Sequence, residues 1–371
     1  MIITLIATLL AAAGATAEDR SVPAYDHIFI IMEENKNYEQ IMDPNAAPNI
    51  SRLAASYGTA TQFYAEVHPS EANYIALLGG DTFGIHDDDA FYCKPGPSND
   101  PNCAGSIKTG YVDHTIHQPH LGAQLVATGR NWKGYYETLP APGSLAVTAG
   151  DPTAGTGLRT AALYASKHSG FINFASVQAD PKRVRHIVGF NQLDRDISAN
   201  QLPAFALIVP NQCNEMHGLH GEGVPSDCDG DRDLAGLIRR GDAEAGRLVA
   251  ALQSTKDWAS NKNVAILIGF DEGAGKTREG CCGVTPGAIS NFGGGHIPMI
   301  VITNHGPHGI SDATPYSHYS LLRTLEDAFR LPAYLGHAGD KGSGVIPMTR
   351  LFAVKGAKAR MKHLAAKSAH L

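Results

Sequence analysis

No Lys or Arg precedes Arg20, no two cysteines stand in C-x-x-C spacing, and no internal repeat is visible. Beyond the first residues, no stretch is long and apolar enough to span a bilayer, so stable membrane insertion is not expected. Without C-x-x-C pairs, the usual ligand pattern of a structural zinc site is missing. Positive charge is in deficit as well: Lys and Arg number 30 against 36 Asp and Glu, a net charge of −6. That balance excludes a general nucleic-acid binder. Charged residues make up only 18% of the chain, and its 40 Gly and 21 Pro point to many loops rather than to disorder.

At 371 residues a large core can be buried, either in one large α/β domain or in two smaller ones. Residues 2–13 form an apolar run followed by Ala15-Thr16-Ala17, a small-x-small cleavage pattern. Despite the missing basic flank, this predicts a signal peptide over 1–17 and a secreted or periplasmic protein; the alternative is a short buried N-terminal helix or a membrane anchor. One domain is expected over 18–350, followed by a basic tail over 351–371 that carries Lys355, Lys358, Arg360, Lys362 and Lys367. Six cysteines suit an oxidising compartment. Cys93 and Cys103 flank one loop that a disulfide could close, and Cys213 and Cys228 flank another. Cys281 and Cys282 are adjacent, leaving a vicinal bond, crossed partners or free thiols open.

Asp26 to Tyr38 reads DHIFIIMEENKNY, an unbroken apolar run that stops at Glu33, Glu34 and Asn35. Such a run predicts a strand buried on both faces, as inside a parallel sheet. Asn263 to Phe270 repeats the arrangement and ends in Asp271 and Glu272. In open α/β sheets, ligands sit beyond the carboxyl ends of strands. Carboxylates and an amide gathered there supply hard oxygen ligands, and burying them without a counter-ion is costly. A divalent metal among Glu33, Glu34, Asn35, Asp271 and Glu272 meets that cost; the plain alternative is that Glu33, Glu34 and Asn35 only open the next helix.

Ser70 lies in His68-Pro69-Ser70-Glu71-Ala72-Asn73-Tyr74, between a predicted strand and a helix, where backbone amides converge. An N-cap role would explain it equally well. Leu202 to Pro210 is a third buried strand, delivering Asn211, Glu215 and His217 to a cysteine-tied loop. His217 could donate to a phosphoryl oxygen or protonate a leaving group. His296 opens a fourth apolar strand and His318 opens a Leu-rich helix, where a histidine can also simply cap or face solvent. The acidic run Asp87 to Asp89 is expected to be solvated. His114, His117 and His120 are expected at the surface, and Leu158 to His168 is predicted as a helix.

Five short motifs in order give the chain a resemblance to the bacterial phosphoesterase family of secreted acid phosphatases and phospholipases C, related to the alkaline phosphatase superfamily. They are Met32-Glu33-Glu34-Asn35, His68 to Tyr74, Asn214-Glu215-Met216-His217, Asp271-Glu272 and Ser317-His318-Tyr319. The resemblance covers roughly residues 26–332. It implies an α/β three-layer αβα sandwich with a mostly parallel central sheet, alkaline-phosphatase-like. It also implies a metal among Glu34, Asn35, Asp271 and Glu272, Ser70 as the phosphoryl-accepting nucleophile, and His217 facing the phosphate or leaving group. Asn73 would be a further donor, with His296 and His318 as substrate-binding residues. Ala72 stands where relatives often have Pro, and Gly218 where an acidic residue often follows the loop histidine.

The expected reaction is hydrolysis of a small phosphate monoester through phosphoserine, with a phospholipid or phosphoinositide as a possible substrate. Phospholipase C or another phosphodiesterase is the alternative; the absence of the long C-terminal extension of the phospholipases favours a monoesterase. Cys93-Lys94-Pro95-Gly96-Pro97 begins like the sulfatase C-x-P-x-R signature, but Pro97 occupies the arginine position. A decayed, non-catalytic binding protein is a third reading, and the full set of acids beside Ser70 argues against it.

Overall fold

The computed structural model describes residues 21–283 and 292–354. The predicted signal peptide and all but the first residues of the predicted basic tail lie outside them. Eleven strands occur among the described residues: β1 (His27–Glu33), β2 (Gly58–Tyr64), β3 (Trp132–Tyr136), β4 (Thr148–Ala149), β5 (Tyr164–Ala165), β6 (Ile187–Gly189), β7 (Phe205–Val209), β8 (Val264–Phe270), β9 (His296–Thr303), β10 (Ile310–Asp312) and β11 (Tyr316–Ser317). Nine of them form one sheet in the order β10-β2-β9-β8-β1-β7-β3-β6, with β11 also on β2. β4 and β5 pair separately.

β1 sits at the centre between β7 and β8 and is parallel to both. Ile28 to Met32 are essentially inaccessible to solvent, each side chain contributing about 1.5–3 kcal/mol by burial. β9 is the exception in direction, antiparallel to both β8 and β2. Its first residue, His296, is thereby carried to the edge where its neighbours end. The large, mostly parallel sheet with helices around it agrees with the fold expected from sequence.

Two helices fix the loops at that edge. Helix Pro48–Ser56 buries Ile50, Leu53 and Ala54, the face its spacing predicts. Its amino end is capped from another helix: Asp242 accepts hydrogen bonds from the Asn49 and Ile50 amides at 3.1 and 2.8 Å. Asp242 belongs to helix Gly230–Gln253, which returns the chain to β8. Beside it, a Cβ on Gly241 would lie 2.3 Å from Met216 Cγ, so only glycine lets this helix press on the Met216–His217 loop.

The predicted helix over Leu158 to His168 is not formed as such. A short helix Thr156–Thr160 gives way to β5 and a 3-10 turn, Ser166–His168. Leu163 and Tyr164 are buried, as a helix with those residues inward would also have them, but the change of direction turns Lys167 toward Asp88 and His168 toward Glu34. No helix among the described residues is long and apolar enough to cross a membrane.

All six cysteines are paired. Cys93–Cys103 and Cys213–Cys228 close their loops, and Cys281–Cys282 is the vicinal bond that the sequence left among several options.

Candidate active site

Neighbouring strands in register bring the first acids together. Glu33 of β1 lies opposite Phe270 of β8, so Glu34 and Asp271 leave the sheet at the same level. The Asp271 amide donates to Glu33 O at 3.2 Å, and the Asn35 amide donates to Asp271 Oδ1 at 3.0 Å. Asn35 adopts a φ of +27°, a left-handed turn that an Asn tolerates better than most residues. On the other side, the Glu34 amide donates to Glu215 O at 2.7 Å, tying in the loop after β7.

Ser70 stands at the N-cap of helix Glu71–Gly79 but makes no capping bond with its side chain. Its Oγ faces two acceptors instead, Glu34 Oε2 at 3.0 Å and Glu272 Oε1 at 3.3 Å. One turn further on, the Tyr74 hydroxyl donates to Glu34 Oε1 at 2.7 Å. The other oxygen of Glu272 pairs with His68 Nδ1, while His68 Nε2 meets Thr277 O at 2.8 Å. Burial opposes charge on His68, but its bond and attraction to Glu272 win and the imidazole pKa is raised.

Five carboxylates crowd this edge almost out of reach of solvent: Glu33, Glu34, Glu215, Asp271 and Glu272. Burial and the neighbouring charges of Asp271 and Glu215 push Glu34 well up. Burial, opposed by His68 and reinforced by Asp271, lifts Glu272 to about 7. Asp271 Oδ2 is buried with no hydrogen-bond partner. An oxygen-rich set with an unsatisfied carboxylate oxygen suits a hard divalent cation, which Asn35, Asp271, Glu272 and Glu34 would be the residues to hold. The local cations are Lys36 and Lys167. Lys36 Nζ donates to Met216 O at 2.7 Å and to Asn35 Oδ1 at 3.3 Å. Burial, only partly offset by the acids, brings its pKa down to about 8.

The loop after β7 is braced by Asn214 Nδ2 on Glu137 at 2.8 Å, by Arg240 on Asn214 and by Cys213–Cys228. His217 Nδ1 meets Gly218 O at 2.8 Å. A carbonyl can only accept, so Nδ1 carries the proton. Burial, reinforced by Lys167, drives its pKa down to about 4. Neutral His217 is therefore left with a bare Nε2, a lone pair rather than the proton donor expected from sequence. Gly218 has a φ of +86°, and a Cβ there would meet Cys228 O and Leu237 Cδ2 at 3.0 Å.

The remaining sequence candidates are held away from Ser70. Asn73 Oδ1 accepts from the Glu66 and Val67 amides, and its Nδ2 donates to Val67 O at 2.9 Å. Both ends of this fully buried amide brace the chain leading to Ser70. His318 is likewise buried between Glu66 Oε2 at 2.5 Å and Phe270 O at 3.0 Å, just behind Asp271. His296 stacks on Tyr38, with ring centroids 4.6 Å apart, and meets Thr61 O at 2.9 Å. It remains partly exposed at the rim.

Several site residues escaped the sequence reading. Lys167 binds Asp88 Oδ2 at 2.9 Å. Asp88 also accepts from the Glu71 amide, next to Ser70, at 3.2 Å. Asp87 and Asp89 are buried, not solvated, and His114 and His120 are buried rather than at the surface. His114 lies between Glu71 and Asp87, the latter at 3.0 Å. Acids in a row form a surface only when no histidine or lysine from elsewhere in the chain folds onto them. His168 is buried with Nδ1 at 2.6 Å from Glu215 Oε1 and Nε2 at 3.3 Å from Glu34 Oε1. The signal for this pair was the Lys167-His168 dipeptide following Tyr164–Ala165, obscured by the helical reading.

Residues 41–332 match the phosphoesterase family. The chain is 28% identical to a phosphatidylinositol-3-phosphatase of Mycobacterium tuberculosis over 84% of its length and 79% of that protein's. It is also 28% identical to a probable acid phosphatase of Kluyveromyces lactis, over 85% of this chain, and to a phosphate-repressible acid phosphatase of Penicillium chrysogenum, over 88%. It spans only 61% and 63% of those two fungal proteins. Among solved structures, an alkaline phosphatase superfamily protein from Vibrio parahaemolyticus aligns with a TM-score of 0.50 at 13% identity, over 85% of this chain and 70% of that one. The lipoteichoic acid synthase LtaP of Listeria monocytogenes aligns with a TM-score of 0.51 at 10% identity, over 92% and 79%. At such identities the likeness concerns the fold. Sheet, site and family match converge on one conclusion: this chain is a member of the phosphoesterase family, a hydrolase of phosphoric esters with an alkaline-phosphatase-superfamily fold.

Proposed function

We propose that the protein is a secreted or periplasmic, metal-dependent acid phosphatase that hydrolyses phosphate monoesters with Ser70 as nucleophile. The observation that carries the reading is the Ser70 hydroxyl, freed from capping and set between Glu34 and Glu272. Asn35, Asp271, Glu272 and Glu34 would hold a divalent cation, which when bound supplies positive charge to the attacking oxygen and the phosphoryl group. Ser70 Oγ attacks phosphorus in line with the leaving oxygen. The Ser70 proton passes to one of the two carboxylates that its hydroxyl faces, Glu34 or Glu272. The bond from phosphorus to the leaving oxygen breaks, leaving phosphoserine, and the leaving oxygen takes a proton from solvent. Water then attacks phosphorus and gives a proton to solvent, the bond from phosphorus to Ser70 Oγ breaks, and the proton held by the carboxylate returns to Oγ as phosphate departs.

Lys167, anchored on Asp88, is the cation placed to meet a phosphoryl oxygen. His217 would face the phosphate or leaving group through its bare Nε2, while the braced Asn73 and His318 hold the chain leading to Ser70 and the strand end before Asp271. The three disulfides support an oxidising compartment. Similarity to a phosphatidylinositol-3-phosphatase over most of both chains favours a phosphoinositide headgroup as a second substrate reading. The test compares wild type with Ser70→Ala on p-nitrophenyl phosphate, its bis ester, and vesicles carrying phosphatidylinositol 3-phosphate. Monoester turnover should fall at least about 10³-fold in the variant with the fold intact. Retention of a tenth of the wild-type rate would refute the nucleophile, and faster turnover of the bis ester would point to a diesterase.

A further inference from the structure

The most exposed large hydrophobic residue among the described ones is Ile107, at 68%. It lies just beyond the loop closed by Cys93–Cys103, on a tip that is built rather than slack. The Lys108 amide donates to Gly105 O at 2.9 Å and the Tyr111 amide to Lys108 O at 3.2 Å. Ser106 Oγ donates to Gly96 O at 2.8 Å, and the Gly96 amide donates back to Ser106 O at 2.8 Å, fastening the tip to the disulfide loop. Residues 107–110 are all exposed, and a Cβ on Gly110 would meet nothing within 4 Å, so the turn projects into solvent. An isoleucine held rigidly in water forgoes its burial energy, which is then available to whatever covers it.

The same tip is tied to the helix that carries the candidate nucleophile. The Gly105 amide donates to Asp89 Oδ1 at 2.7 Å. Its neighbour Asp88 accepts from the Glu71 amide, next to Ser70, and from Lys167. A few residues past the tip, His114 is held between Glu71 and Asp87. Both ends of the projection are therefore anchored beside Ser70, and a surface that takes up Ile107 meets the protein next to the candidate active site.

The chemistry around Ile107 selects the kind of surface. Lys108 is exposed and makes no ion pair among the described residues. Tyr92, on the same excursion, is 43% exposed, with its hydroxyl held by Asp100 at 2.7 Å. An apolar wedge beside a cation matches a phospholipid interface, where the acyl boundary takes the isoleucine and anionic headgroups take the lysine. A protein partner would need roughly 1,000 Å² of complementary surface, and a lone isoleucine followed by Lys, Thr and Gly gives it no apolar centre. The net charge of −6 denies the whole protein long-range attraction to an anionic surface, which leaves attachment to this local contact.

We propose that the turn over residues 105–111 is an interfacial anchor. Ile107 enters the headgroup region of a phospholipid bilayer, Lys108 pairs with anionic headgroups, and the candidate active site is held at the lipid surface. The inference deepens the phosphoinositide reading of that site and rests on it.

The test follows the full chain as wild type, Ile107→Ser and Lys108→Gln. It measures co-flotation with phosphatidylcholine vesicles, with and without phosphatidylinositol 3-phosphate, and turnover of that lipid and of soluble p-nitrophenyl phosphate. Ile107→Ser should weaken flotation and lipid turnover about 10-fold or more, and Lys108→Gln roughly 5-fold on the anionic vesicles alone. Neither should alter turnover of p-nitrophenyl phosphate, because both side chains lie outside the serine and carboxylate cluster. Equal losses on both substrates, or no loss on the lipid, overturn the anchor and leave the phosphatase standing. A wild type inactive on p-nitrophenyl phosphate overturns the phosphatase reading, and flotation alone then decides. Binding that needs Ile107 supports the anchor; binding that is absent or indifferent to Ile107 overturns it. Dissociation of a dimer by Ile107→Ser in gel filtration, with flotation unchanged, makes the occupant a second copy and also overturns it.

Discussion

Replacing His114 by Leu tests whether the Glu71–His114–Asp87 bridge holds the nucleophile helix against the loop over residues 87–89. His114 is 1% exposed, with Glu71 on one ring nitrogen and Asp87 on the other. Burial opposes its charge, but the two carboxylates prevail and raise its pKa from 6.5 to about 10. At ~1.4 kcal/mol for each tenfold step in proton affinity, the pairing is worth on the order of 4–5 kcal/mol at most. Leucine also strands Glu71 in the interior, a mechanism that commonly costs about 3–5 kcal/mol. The folded pKa lies above the unfolded one, so the contribution is complete below pH ~6.5 and is lost as pH rises through about 10. Urea unfolding of wild type and His114→Leu from pH 6 to pH 10 should show a gap of about 3–5 kcal/mol at pH 6 that narrows steadily with rising pH. A gap that stays constant over that range would refute the ionic bridge and reduce His114 to a packing residue. Turnover should fall in the variant too, because Glu71 adjoins Ser70.

Two other outcomes follow from single contacts. Lys167→Ala removes the cation anchored on Asp88; loss of one charged contact of about 1.5–3 kcal/mol should lower kcat/KM for phosphate monoesters roughly 10- to 100-fold, with Lys167→Arg recovering part of it in steady-state kinetics. Gly218→Ala places a Cβ at positive φ against Cys228 O and Leu237; a thermal unfolding series should show destabilisation of about 1–3 kcal/mol, and no change would mean that the loop yields freely.

The sequence by itself determined the sheet interior and the acids at its edge. Unbroken apolar runs at Ile28 to Met32 and Val264 to Phe270 have one stable use, burial on both faces, and the polar residues that end them must lie where the sheet ends. That local logic placed Glu34, Asn35, Asp271 and Glu272 along one margin; Ser70, equally readable as an N-cap, was set beside two of them by the fold. What only the tertiary structure decided is pairing across distance. Asp87 and Asp88 look solvated until His114 and Lys167 fold onto them, and Asn73 looks like a substrate donor until its Nδ2 is seen to donate to Val67 O. His168 could not be read as a site residue because periodicity reports which side of an element is apolar, not what meets a buried imbalance of charge. Its place beside Glu34 and Glu215 arises from contacts among β1, the turn after β5 and the loop after β7, segments far apart in the chain that share one place only once the sheet is assembled.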